Sequence, residues 1–179
     1  MSNTYVSDPL ENAIDFLEQA SFYYRNYGYN HRFKWVCISL HGALYGFAVT
    51  YVKSGNPLDT IFKNTEKDTN KWRLLSIMEI LKLCKKEELI QSVNGKVLVL
   101  TEKQKIAIER LNEYRNSFSH FGASGYSVIG TIDEIVEPVL EVIRYLSLES
   151  NRIICSSNQK ERIKRTISSF ENEVKKNNI

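Results

Sequence analysis

The sequence predicts an all-α helical bundle, on three observations. Apolar residues recur at three- and four-residue intervals along most of the chain. Capping and stop residues punctuate those runs. A single stretch, near residues 89–100, carries a strand-like pattern instead.

The first helix starts at Ser7-Asp8-Pro9, a capping residue with proline in the first turn. Leu10, Ala13, Ile14, Leu17, Ala20 and Tyr24 form its apolar stripe, and it ends near Tyr27-Gly28. The second runs from about Arg32 to Lys53, with Phe33, Val36, Leu40, Leu44, Phe47 and Tyr51 at helical spacing, and stops at Ser54-Gly55-Asn56-Pro57. Its eighteen residues from Trp35 to Val52 carry no formal charge. That is the lower edge for a membrane span, and Gly42 to Gly46 is a small-xxx-small pattern. Ser39, His41, Thr50 and the two glycines weaken the hydropathy, so the expectation is a central core helix and no membrane contact.

A polar loop, Asn64 to Asn70, precedes a third helix whose apolar positions are Trp72, Leu75, Ile77, Met78, Leu81 and Leu89. Leu89 to Leu100 then reads as a short β-hairpin insert on Asn94-Gly95, leaning on the helices. Thr101 with Gln104 forms a capping box and opens a helix that buries Ala107, Leu111, Tyr114 and Phe118. Gly122 and Gly125 end it. Another helix spans about Thr131 to Glu149 through Ile135, Val139, Val142, Ile143 and Leu146, with Pro138 kinking it or marking a later start.

Residues 1–150 read as one helical domain and 151–179 as a basic C-terminal helical extension. The extension carries Lys160, Arg162, Lys164, Arg165, Lys175 and Lys176, with a stripe of Ile163, Ile167, Phe170 and Val174. It suits a packing helix with a solvated face, an RNA contact by phosphate neutralisation, or a partner-docking element.

Composition narrows the function classes. The 179 residues are 42% hydrophobic and 25% charged, enough for a real core. A net charge of +3 permits nucleic-acid binding without arguing for it. Cys37, Cys84 and Cys155 lack metal-type spacing and point to a reducing, cytoplasmic setting, with the first two as core residues. Three histidines without a Cys/His cluster predict no zinc site, and no cofactor is expected. The glycines form no phosphate-cradling loop, and no Gly-x-Ser-x-Gly is present.

The chemistry-bearing segment is Tyr114-Arg115-Asn116-Ser117-Phe118-Ser119-His120-Phe121, at the end of the capped helix. Arginine is a permanent charged fork for phosphate oxygens, and histidine exchanges protons near neutral pH. Asn116 and His120 lie on one helical face, Arg115 and Ser119 on the adjacent row. On a continuous helix Arg115 and His120 would stand about 140° apart, so they converge only if the arginine swings across or the helix loosens near Ser119. The plain alternative is a solvated arginine with a helix-capping histidine.

Arg115-Asn116-Ser117-Phe118-Ser119-His120-Phe121 resembles the Arg-x4–6-His motif of the HEPN superfamily, with Asn116 in the polar place after the arginine. Leu111-Asn112-Glu113-Tyr114 before it and Gly125-Tyr126-Ser127-Val128 after it resemble a bacterial branch of that superfamily. The resemblance implies a HEPN-like four- to five-helix bundle and a metal-independent endoribonuclease. Two protomers would face each other across a two-fold axis, with Arg115, Asn116 and His120 catalytic and Ser119, Tyr114 and His41 accessory. It also implies a toxin or antiviral defence role, RNA as substrate, and a cognate antitoxin or partner protein. The alternative is a non-catalytic HEPN-like interaction or ligand-binding module.

His41 reads either as a buried, hydrogen-bonded histidine or as an accessory group under the site. His31 reads as the residue leading into the second helix. Phe22, Tyr23, Tyr24, Tyr27 and Tyr29 read as core or dimer packing, or as a base-stacking surface.

Overall fold

The computed structural model describes residues 8–64, 72–90, 94–119 and 131–177. Its helices are α1 (Pro9–Arg25), α2 (Arg32–Lys53), α3 (Ile77–Leu83), α4 (Glu102–Ser119), α5 (Asp133–Arg144) and α6 (Ser157–Asn177). Two short strands, β1 (Phe62–Asn64) and β2 (Trp72–Leu74), pair antiparallel, with Phe62 opposite Leu74 and Lys63 opposite Arg73. The chain is mostly helical, as its periodicity predicts.

Asp8 caps α1 by accepting from the Glu11 amide at 2.8 Å, and Pro9 follows it in the first turn. α2 is the central element. Val36, Leu40, Leu44, Phe47 and Ala48 are fully buried. Among the described helices it alone has the length and composition to cross a membrane, yet 67% of its apolar window is buried by the bundle. α1 lies against it at very close range, because Gly42 and Gly46 have no side chains to hold it off. A Cβ at Gly42 would come within 2.7 Å of the Phe16 ring, and one at Gly46 within 2.7 Å of Ala13 Cβ.

Two sequence expectations fail here. The third helix does not begin near Trp72: Trp72–Leu74 is strand β2, and α3 starts only at Ile77. A capping box sets that start, with Ser76 Oγ accepting from the Glu79 amide and Glu79 accepting from the Ser76 amide at 2.8 Å. Lys63 on β1 pairs with the same Glu79 at 2.5 Å, which draws the strand pair onto α3.

Among the described residues, the hairpin expected near 89–100 does not form either. Glu87–Leu89 is a 3-10 turn, and residues 94–100 form an irregular segment without strand pairing; residues 91–93 lie outside the described residues. The helices satisfy this segment's backbone in place of a partner strand. Lys96 donates to the Ser150 carbonyl at 3.0 Å and Leu98 to that of Cys84 at 2.9 Å. The hydroxyls of Tyr51 and Tyr145 donate to the carbonyls of Lys96 and Val97, each at 2.5 Å. The alternating pattern that suggested a strand thus marks one buried side chain, Leu98, between half-buried Val97 and exposed Val99.

The capping box at Thr101 forms as predicted, with Gln104 donating to Thr101 Oγ1 at 3.2 Å and accepting from the Thr101 amide at 3.0 Å. Ala107, Ile108 and Leu111 are buried, while Tyr114 and Phe118 are half-buried, edge-on to Phe33. α5 carries Pro138 inside it and runs on into a π turn, Tyr145–Glu149, closed by the Ser150 amide on the Tyr145 carbonyl at 2.9 Å. In α6 the stripe Ile163, Ile167, Phe170 and Val174 is buried. Arg162 clasps Glu18 at 2.7 Å and Glu11 at 2.8 Å, both on α1, and Tyr24 of α1 stacks on Phe170 at 4.8 Å. Cys37 and Cys84 are buried, and burial pushes both thiols up to about 12.

Gly46→Val should destabilise the bundle by about 1–3 kcal/mol, as overpacking does, when followed by urea denaturation. Gly46→Ala combined with Ala13→Gly should cost less than the two single changes added together, because the second removes the methyl that the first would strike.

Candidate functional site

Three elements bring the site together. α2 and α4 pass antiparallel, so that Phe33 meets Tyr114 and Phe118 at one end while His41 meets Asn112 further along. α4 is continuous through Ser119, which holds Arg115 and Ser119 one turn apart on the same row. Both line a cleft of about 780 Å³.

The cleft follows one face of α2. Ile38, His41, Gly42, Tyr45, Val49 and Lys53 lie along its floor. Asp8, Asn12 and Phe16 of α1 form one wall. The turn and strands that follow α2 form the other, through Leu58, Ile61, Phe62 and Leu74. The Tyr45 hydroxyl donates to the Leu75 carbonyl, so the ring closes the cleft without offering a free donor.

Arg115 Nη1 donates to Asn116 Oδ1 at 3.0 Å. Among the described residues no carboxylate pairs with this guanidinium, although the molecule neutralises Arg110, Arg144 and Arg162 with glutamates. Asn116 therefore steadies the arginine and leaves its charge available.

His41 is 6% exposed, and its Nε2 lies 3.2 Å from Asn112 Oδ1, as an Nε2–H tautomer donating to the amide oxygen requires. Burial is the main force holding its pKa down, to about 4. The Asn112 bond opposes that shift, and the nearby Arg115 charge adds to it. His41 is thus neutral at physiological pH and cannot act as a cation there. Of its two sequence readings, the buried, hydrogen-bonded histidine is what the fold forms, and its ring also lines the cleft.

His120 lies outside the described residues, as do Gly122 and Gly125 and the segment Gly125-Tyr126-Ser127-Val128. The structure brings Arg115, Asn116 and Ser119 together and sets His41 on the same cleft. Tyr114 stands to one side, packed on Phe33 at 5.1 Å. Asn112, Phe16, Ile38 and Tyr45 were not singled out as site residues. The signal available was the row 38-42-45-49 on α2, whose small Gly42 interrupts larger apolar side chains and admits the Phe16 ring beside it. Among the described residues no group of three or more His, Cys, Asp or Glu side chains is placed to hold a metal ion.

Comparison with protein-family models, with curated proteins and with solved structures returns no match.

Protonating His41 is favoured in the unfolded chain, where its value is 6.5, over the folded one, where it is about 4. Its contribution is therefore complete above about pH 6.5 and is lost as the pH falls from there towards 4. The full loss is on the order of 3 kcal/mol. Urea midpoints measured between pH 7 and 5 should fall, and His41→Gln should flatten that slope. The glutamates held low by partners, Glu79 at about 2 among them, act only at lower pH.

Proposed function

We propose that the chain is a metal-independent endoribonuclease of HEPN type that works as a homodimer, in a toxin or antiviral defence role. The supporting observation is the guanidinium of Arg115, which has no carboxylate partner among the described residues, is steadied by Asn116 and lines the cleft. An arginine so placed is suited to the non-bridging oxygens of a scissile phosphate, where charge grows as the strand breaks. His120, five residues beyond Arg115, supplies the proton transfer in this reading.

One histidine per protomer explains the need for two copies. The 2′-hydroxyl attacks the neighbouring phosphorus and gives its proton to one His120. The P–O5′ bond breaks, and the leaving 5′-oxygen takes a proton from the other. The products are a 2′,3′-cyclic phosphate and a free 5′-hydroxyl. Self-complementary two-fold pairing is the commonest assembly and would bring the two α4 ends to one phosphate. The aromatic surface of α1 and α2, with Phe22 55% exposed and Tyr23 stacked on Tyr29 and Trp35, offers apolar area for that contact. A cognate antitoxin or other partner protein would restrain such an activity.

Purified protein should cleave RNA in EDTA. His120→Ala should lower the rate by about 10²–10⁴-fold with unchanged helix content. Cleavage that survives His120→Ala, or that needs Mg²⁺ or Mn²⁺, would sink the mechanism. Mixing inactive His120→Ala with inactive Arg115→Ala should not restore activity, because each mixed dimer carries one histidine where the reaction uses two.

A further inference from the structure

We infer that the α1–α2 cleft is a binding site for a single-chain acyl carboxylate, with the anionic head on Arg115 and the apolar tail along α2. The inference goes beyond the nuclease reading and stands without it.

Shape comes first. The cleft holds about 780 Å³, within the range of small-molecule sites, and its surroundings are mainly apolar. Its floor from Ile38 to Lys53 spans about 22 Å at the rise of an α-helix. It is long rather than round. Gly42 and Gly46 line it where α1 packs directly on α2, while Phe16 on one side and Leu58 and Phe62 on the other stand as apolar walls. A flexible chain fits such a trough better than a compact ring system.

Charge comes second. Arg115 and Ser119 line one end, where the guanidinium has no carboxylate partner among the described residues. His41 beside it is neutral above about pH 4 and adds no charge. At the far end Asp8 and Lys53 both line the cleft, so that end carries one charge of each sign. Among the described residues that line the cleft, Arg115 has no acid at its end of the apolar trough, which matches one negative charge on an apolar chain. A compact polyanion would meet too few cations here, and an uncharged chain would leave the arginine buried beneath it unpaired.

Isothermal titration and tryptophan fluorescence on the full chain test this, with dodecanoate, dodecanol and acetate as probes. Dodecanoate should bind at one per protomer, well ahead of dodecanol, and acetate should not bind measurably. Arg115→Gln should weaken dodecanoate about ten- to a hundred-fold and leave dodecanol unchanged, as the loss of a charged hydrogen bond would. Leu58→Asp changes a rim residue that is 61% exposed, so the fold should persist by circular dichroism. It should weaken both long-chain probes. Equal binding of dodecanoate and dodecanol, indifference to Arg115→Gln, or multiple dodecanoate molecules per protomer would overturn the inference. RNA cleavage in EDTA is scored separately, so either idea can fail alone.

Discussion

The close approach of α1 to α2 is the constraint on which the rest of the bundle depends. Gly42 and Gly46 remove the side chains that would hold two helices at ordinary separation, and Ala13 and Phe16 fill the space. In a protein interior packed as densely as a crystal, such a contact tolerates little change in volume. α2 itself has a double role. One face is a core stripe, and the adjoining face is a low floor between walls. The apolar length of α2, which on composition alone resembles a membrane span, is consumed by contacts to helices on several sides.

Around that pair the chain is tied by arginines used in different ways. Arg162 is saturated, gripping Glu11 and Glu18 and so binding α6 to α1. Arg152 is 2% exposed and donates to the Ser54 carbonyl at 2.5 Å and the Tyr51 carbonyl at 3.2 Å, closing the negative end of α2. Its Nε and Nη1 have no hydrogen-bond partner among the described residues, so it serves as a helix-end clamp at some cost in desolvation. Arg115 is neither saturated nor buried away, and its chemistry is set by that contrast.

The helices of the sequence were legible where caps and periodicity agree. α1 and α2 start and stop close to their signals, Asp8-Pro9 and Ser54-Gly55 among them, and α4 starts at its own, Thr101 with Gln104. Expectation failed where local pattern competed with tertiary contacts. Asn94-Gly95 between apolar runs is a strong hairpin signal, but Tyr51, Tyr145, Cys84 and Ser150 satisfy that backbone from distant parts of the chain. The strands formed instead on Phe62–Asn64 and Trp72–Leu74, where the capping box at Ser76 keeps Trp72 and Leu74 out of the helix. At the site, Arg115 and Asn116 stood out by residue type and adjacency. The His41–Asn112 pair did not, because a contact across 71 positions leaves no trace in local spacing.

The irregular segment 94–100 bears on how the molecule comes together. Its carbonyls are held by two tyrosine hydroxyls, one from α2 and one from the π turn after α5, and its amides by carbonyls beyond α3 and after that turn. None of these anchors is close to its partner until three helices have docked. The segment therefore behaves as a keystone laid last: it locks in only when the bundle is nearly complete. Amide exchange at Leu98 would then report the integrity of the whole assembly rather than of any one helix.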